Sequence, residues 1–165
     1  MHYQQTSAKG HFDMKAEIIN PFLESARIVI EQVICISPST GDLGIKNIEI
    51  VKGDIWIQVG MTGQLTGNVV FGLKETVALK IVSAMMGGFV ITEMDEMGKS
   101  AISELSNMIS GNASTILYNQ GVNVDITPPK IVSPQEHPLF FSKKALSIPL
   151  MMAGIGELDI QVMIS

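Results

Sequence analysis

The hydrophobic pattern of this chain runs twice through one order: a long stretch with helical periodicity, then a pair of strictly alternating runs joined by a tight turn. In the first round Phe22, Ala26, Val29, Val33 and Ile36 recur at the spacing of one helix face. Asn20 is placed to cap that helix, Pro21 to occupy its first position, and Ser37-Pro38 to stop it. Strand candidates follow at Ile45, Ile48 and Ile50. Next come Ile55, Ile57, Val59 and Met61, alternating with Trp56 and Gln58, and then the run from Leu65 to Leu73. Lys52-Gly53-Asp54 and Thr62-Gly63-Gln64 have turn composition. A second helix is predicted from Lys74 to Met86, closed by Gly87-Gly88.

The second round opens at Thr92-Glu93-Met94-Asp95, which has the form of a capping box. The helix it starts can reach Asn119, with Gly121 as its stop, and would be about 40 Å long. Leu146, Ile148, Leu150 and Met152 then alternate, Ala153-Gly154 turns, and Leu158, Ile160, Val162 and Ile164 alternate again. Between helix and hairpin, Ile126-Thr127-Pro128-Pro129 lacks two ladder donors and fits only an edge or a rigid connection. This order predicts an α+β fold: a mainly antiparallel sheet packed by long helices, with a weak internal helix–hairpin repeat.

A chain of 165 residues with 46% apolar and 16% charged residues can bury a real core as one domain and is not disordered by composition. Residues 1–13 lack periodicity and read as a tag or disordered tail, leaving 14–165 as a single domain. The net charge of −5, with no Lys/Arg cluster, argues against nucleic acid or anionic lipid as a partner. Cys35 stands alone, so no internal disulfide forms. The N-terminus has no apolar signal region, and Val77 to Ile91 is interrupted by Lys80 and Gly87-Gly88. A soluble cytoplasmic protein without membrane insertion is expected.

The third helix carries the candidate site. At about 100° per residue, Ser100, Glu104, Asn107 and Gly111 share one stripe, while Met94, Ala101, Ile102, Leu105, Ile109 and Ile116 gather opposite. Ser100, Ser103, Ser110, Gly111 and Ser114 leave little bulk around the Glu104/Asn107 pair. Polar pairs at this spacing are ordinary on solvated helix faces, so spacing alone does not make a site.

Ile19-Asn-Pro-Phe22, Ala78 to Gly88, Asp95-Glu96 through Glu104-Leu-Ser-Asn107-Met108, and Val124 to Ser133 together resemble the CheC/CheX/FliY family of chemotaxis phosphatases, and its CheX branch in particular. The resemblance spans nearly all of 14–165. It implies a CheC-like fold and an aspartyl-phosphate phosphatase acting on a phosphorylated CheY-type response regulator. Glu104 and Asn107 would be the catalytic E-x-x-N, with Ser100, Ser103 and Gly111 lining the docking surface. It implies no cofactor of the chain's own, Mg2+ in the partner's active site, and a homodimer joined at sheet edges. An amide suits such chemistry, because phosphoryl transfer needs a positioned water more than a strong base. Some family members repeat E-x-x-N in the first helix. Here the nearest counterpart is Glu24-Ser-Ala-Arg27, read as a surface pair, so one active centre per chain is expected. The rival readings are a non-catalytic module that binds a response regulator or flagellar switch, and a structural dimer with a merely solvated stripe.

Other signals fall away. Gly98-Lys99-Ser100 lacks the upstream glycine of a phosphate loop, since Glu93 stands there. Gly154-Ile155-Gly156 belongs to a hairpin turn. His2, His11 and His137 are scattered, so no metal site is expected. Cys35 reads as a buried structural thiol, the 11 methionines chiefly as core filling, and Trp56 as either a subunit contact or a residue covered by a helix.

Overall fold

The computed structural model describes residues 2–48, 53–136 and 144–165, with side chains from residue 16 onward. The expectations for Ile50, Lys52 and His137, and for the side chains of His2 and His11, lie outside the described residues. Among those described are three helices and eight strands: α1 (His2–Ile34), β1 (Ser39–Thr40), β2 (Gly44–Asn47), β3 (Asp54–Gly63), β4 (Gly67–Lys74), α2 (Glu75–Met85), α3 (Glu96–Asn119), β5 (Val124–Ile126), β6 (Lys130–Val132), β7 (Lys144–Met152) and β8 (Gly156–Ile164).

One antiparallel sheet runs β1-β7-β8-β4-β3-β5, with β2 also on β7 and β6 also on β3. Two hairpins, β3–β4 and β7–β8, supply its long strands, and β4 and β8 join them through pairs such as Phe71 with Ile160. The predicted repeat is built by exchange. After α1 the chain lays β1 and β2 on the β7 side, and after α3 it lays β5 and β6 on the β3 side. Each half thus closes the edge of the other half's hairpin. The diproline at 128–129 links β5 to β6 at that edge, where missing donors break no central ladder.

The close pairing of β4 and β8 requires Gly67, since a Cβ there would run into the Met163 carbonyl oxygen. Alternation sorts the two faces. Ile57, Val59, Met61, Val69, Phe71, Ile148, Leu150, Ile160 and Val162 meet the helices in the main core. Trp56, Val70, Ala145 and Met163 turn the other way and form a second buried cluster with Ile48 and Val132, to which no helix residue belongs. Trp56 is therefore buried, and among the described residues its cluster holds no helix residue. Its ring lies across Gly72, where a Cβ would come within 2.5 Å of Cζ3.

Three local expectations are corrected. Asn20-Pro21 does not begin α1, because the helix passes through it with Pro21 inside. Proline costs an interior helix one hydrogen bond, but Ile18, Phe22, Ala26, Val29, Ile30 and Ile34 form one buried stripe across it, and that packing holds the helix through. The helix ends at Ile34, ahead of Ser37-Pro38, and Cys35 leaves it at φ 63. That turn carries the Cys35 thiol out to solvent, so it is exposed and not buried. Finally, α3 starts after Asp95 and not at Thr92, because it is the Asp95 carboxylate that accepts from the Gly98 amide, at 2.8 Å. The predicted stops hold: Gly87, Gly88 and Gly121 take φ of 75, 92 and 89, open to glycine and strained for other residues.

Candidate functional site

α3 is fixed before anything on it can act. Asp95 caps its first turn, and Gly121 and Val122 donate back to Tyr118 and Leu117 at its end. Ile102, Leu105, Ile109, Ala113 and Leu117 bury one side in the core. Ser25 of α1 pins the middle of the helix, its hydroxyl donating to the Ile109 carbonyl at 2.6 Å. A helix held along one side in this way presents the other with a set direction.

The presented side carries the residues expected there. Glu104 and Ser100 are exposed; Asn107, Ser103, Gly111 and Ser114 are half-buried. Among the described residues, neither the Glu104 carboxylate nor the Asn107 carboxamide has a hydrogen-bond or ion-pair partner. Both tips keep their full capacity for an incoming group: two acceptor oxygens on the glutamate, an acceptor and two donors on the amide. Ser110 is the exception. It is fully buried, so it sits on the packed side and does not flank the pair. Ala101, Met94 and Ile116, expected among the packed residues, are only half-buried.

Beside Glu104 runs a shallow groove of about 510 Å³, lined by Glu96, Lys99, Ser100, Ser103 and Glu104 on α3 and by Pro129 and Ile131 across from them. Asn107 stands about one turn further along, outside the groove. Sequence reading missed Lys99, Pro129 and Ile131 as walls. The diproline was the available signal, since a rigid edge segment must lie against something. Lys99 and Glu96 form an exposed ion pair at 3.6 Å, of the kind that adds little to stability. Gly111 leaves the ridge open further on, since a Cβ there would meet only Ile126 Cδ1, at 3.9 Å.

The first helix carries a second polar pair that sequence reading missed: Glu17 and Asn20, both exposed, stand three residues apart on α1. Glu24 and Arg27 are exposed and form no ion pair with each other. With the buried residues Leu105, Ile109, Ala113 and Leu117 set against Ile18, Phe22, Ala26 and Ile30, the places of Glu104 and Asn107 fall on Glu17 and Asn20. Among the described residues no group of three or more His, Cys, Asp or Glu could hold a metal ion, and no helix is long and apolar enough to cross a membrane.

Among the described residues, the one clearly displaced titration lies elsewhere, on the sheet face turned away from the main core. Burial raises the Asp159 carboxyl above its ordinary value of 3.8, partly offset by donation from Ser147 Oγ at 2.8 Å and Gln161 Nε2 at 3.0 Å and by the Lys46 charge.

Comparison with known proteins meets this geometry. The family model described as chemotaxis phosphatase CheX matches residues 55–154. The CheY-P phosphatase CheX of Thermotoga maritima is 34% identical over 150 residues, which are 90% of this chain and 96% of that one. A crystal structure of CheX from Desulfovibrio desulfuricans superposes with a TM-score of 0.74 at 25% identity, over 90% of this chain and 99% of that one. The same fold occurs in a CheX–CheY–BeF3–Mg2+ complex from Borrelia burgdorferi, with a TM-score of 0.73 at 24% identity over 89% of this chain and 97% of that one.

Proposed function

The chain belongs to the CheX family of chemotaxis phosphatases, and from that premise we propose that it hydrolyses the aspartyl phosphate of a CheY-type response regulator with Glu104 and Asn107. The observation that carries this reading is the pair itself: two polar tips, without a partner among the described residues, on the open side of a helix whose other side is locked in the core.

The partner supplies the phosphoryl group and the Mg2+ beside it, and this chain inserts the ridge. The Asn107 amide donates to a phosphoryl oxygen, and its carbonyl oxygen accepts from a water held in line with the scissile bond. The water oxygen bonds to phosphorus as the bond from phosphorus to the aspartyl oxygen breaks, giving the free carboxylate and inorganic phosphate. The transition state is loose, so holding the water and countering developing charge are the main requirements. Glu104 pairs with a cationic side chain next to the partner's aspartyl phosphate and sets the register of docking. Ser100, Ser103 and Gly111 keep the ridge low enough to enter. The acting unit is residues 14–165. It works as a homodimer joined at sheet edges, in the cytoplasm where response regulators act.

A phosphotransfer assay tests this. Each response regulator of the source organism is phosphorylated, and its decay is followed with and without the chain. One regulator is expected to decay faster. Asn107→Ala should remove that acceleration by a factor of about 100 or more, near 3 kcal/mol in the barrier. Glu104→Ala should raise the regulator concentration needed for half-maximal rate. Unchanged acceleration by Asn107→Ala would overturn the assignment. Tight binding without acceleration by the wild-type chain would make this a non-catalytic binding module.

A further inference from the structure

α3 carries two large apolar side chains that are exposed, Met97 at 65% and Tyr118 at 66%. Isolated exposed apolar residues need no explanation, but these two are not placed at random. At about 100° per residue, Met97, Ser100, Glu104, Asn107, Gly111 and Tyr118 all fall within a wedge of about 80°, centred opposite the buried side of the helix. At about 1.5 Å per residue, Met97 and Tyr118 stand about 31 Å apart along the axis, and Asn107 lies about 15 Å from one and about 16 Å from the other. Between them the ridge is low. The catalytic amide thus occupies the middle of a saddle with an apolar side chain at each end.

We infer that Met97 and Tyr118 are docking anchors, which seat the response regulator along α3 so that its phosphorylated pocket comes down on Asn107. This inference rests on the phosphatase reading above and names the residues that hold the partner. The spacing fits the occupant: a domain of about 100–150 residues is roughly 35 Å across, so both ends of the saddle meet one such domain near its rim. The chemistry fits as well. Met is flexible and polarizable, which suits a surface that must adapt, and Tyr is among the residues that most often carry interface energy. Between the anchors the docking surface is polar and small, so the pair supplies the apolar grip that the catalytic residues lack. Both are specificity-determining residues: they touch the partner away from the reacting atoms and leave the chemical step alone.

The test is a steady-state comparison on a response regulator that the wild-type chain dephosphorylates, using wild type, Asn107→Ala, the double variant Met97→Ser with Tyr118→Ala, and the conservative Met97→Leu with Tyr118→Phe. The double variant should raise KM about tenfold or more, with kcat within about twofold of wild type. The conservative variant should keep the wild-type KM. Asn107→Ala should instead lower kcat. Both anchors are exposed, so the thermal transition of the double variant should stay near wild type. If Asn107→Ala is impaired while the double variant keeps its KM, or loses kcat alone, the anchors are refuted and the phosphatase reading stands. If no regulator is dephosphorylated, or Asn107→Ala is as fast as wild type, that reading falls and the anchors with it.

Discussion

Asp159 illustrates what burial does to a single side chain. Its carboxyl lies partly buried on the sheet face turned away from the main core, held by Ser147 and Gln161. Desolvation raises its folded-state pKa above the ordinary 3.8, so the folded chain holds the proton more readily than the unfolded one. The stability from that proton is full below the unfolded value and is lost as pH rises through the folded one. Above that range burial of the carboxyl weighs against the folded chain. Asp159→Asn retains an acceptor for the Ser147 hydroxyl and removes the charge. In urea unfolding the variant is expected to gain on wild type at pH 7, with the gain shrinking near pH 4. An equal difference at both pH values would count against burial as the cause. Cys35 and Ser110 make the complementary point. One is apolar in its sequence surroundings yet exposed, and the other is polar yet fully buried. Composition around a residue does not say which way the backbone turns it.

α3 owes its fixed direction to its ends and its packed side together. The Asp95 carboxylate supplies one of the acceptors that first-turn amides lack, and its charge favours the positive end of the helix. Asp95→Ala should cost about 1 kcal/mol, read as a lower thermal midpoint, with the N-terminal turn fraying first. Glu104 lies about two turns in from that end, so fraying should reach the ridge and lower phosphatase activity as well. A midpoint unchanged by the substitution would show that packing alone sets the start of the helix. The same competition settles α1 differently. There a buried stripe from Ile18 to Ile34 carries the helix across Pro21, against the local preference for a start at that residue.

The whole chain combines two similar halves. Each sends two short strands across to the other's hairpin, which ties the halves into one sheet. Both long helices carry a Glu and an Asn three residues apart at matching places, Glu104 with Asn107 on α3 and Glu17 with Asn20 on α1, while Phe22 and Ile109 fill matching places in the core. The short strands β1, β2, β5 and β6 lie at the sheet's two margins, and a sheet margin is a place where a second copy can pair. Light scattering on the purified chain should therefore give twice the 17.8 kDa of a single chain. A species of single-chain mass at micromolar concentration would refute the edge-paired dimer.

Most of the element order was legible because it rests on short-range periodicity. Alternation wrote the hairpins, the 3.6-residue repeat wrote the helices, and glycines at positive φ wrote the stops after α2 and α3. The Glu104/Asn107 stripe was legible for the same reason, being a matter of residues three apart on one helix. Other features depend on residues far apart in the chain, which no local pattern records. The exchange of short strands, the bed of Trp56 against Gly72, the Pro129/Ile131 wall beside Glu104 and the burial of Ser110 are of that kind. The sequence by itself determined which segments are helix or strand and which side of α3 is polar. Only the tertiary structure decided that this side faces solvent, its polar tips without a partner among the described residues, because exposure is set by what else packs nearby, and that is a property of the assembled core.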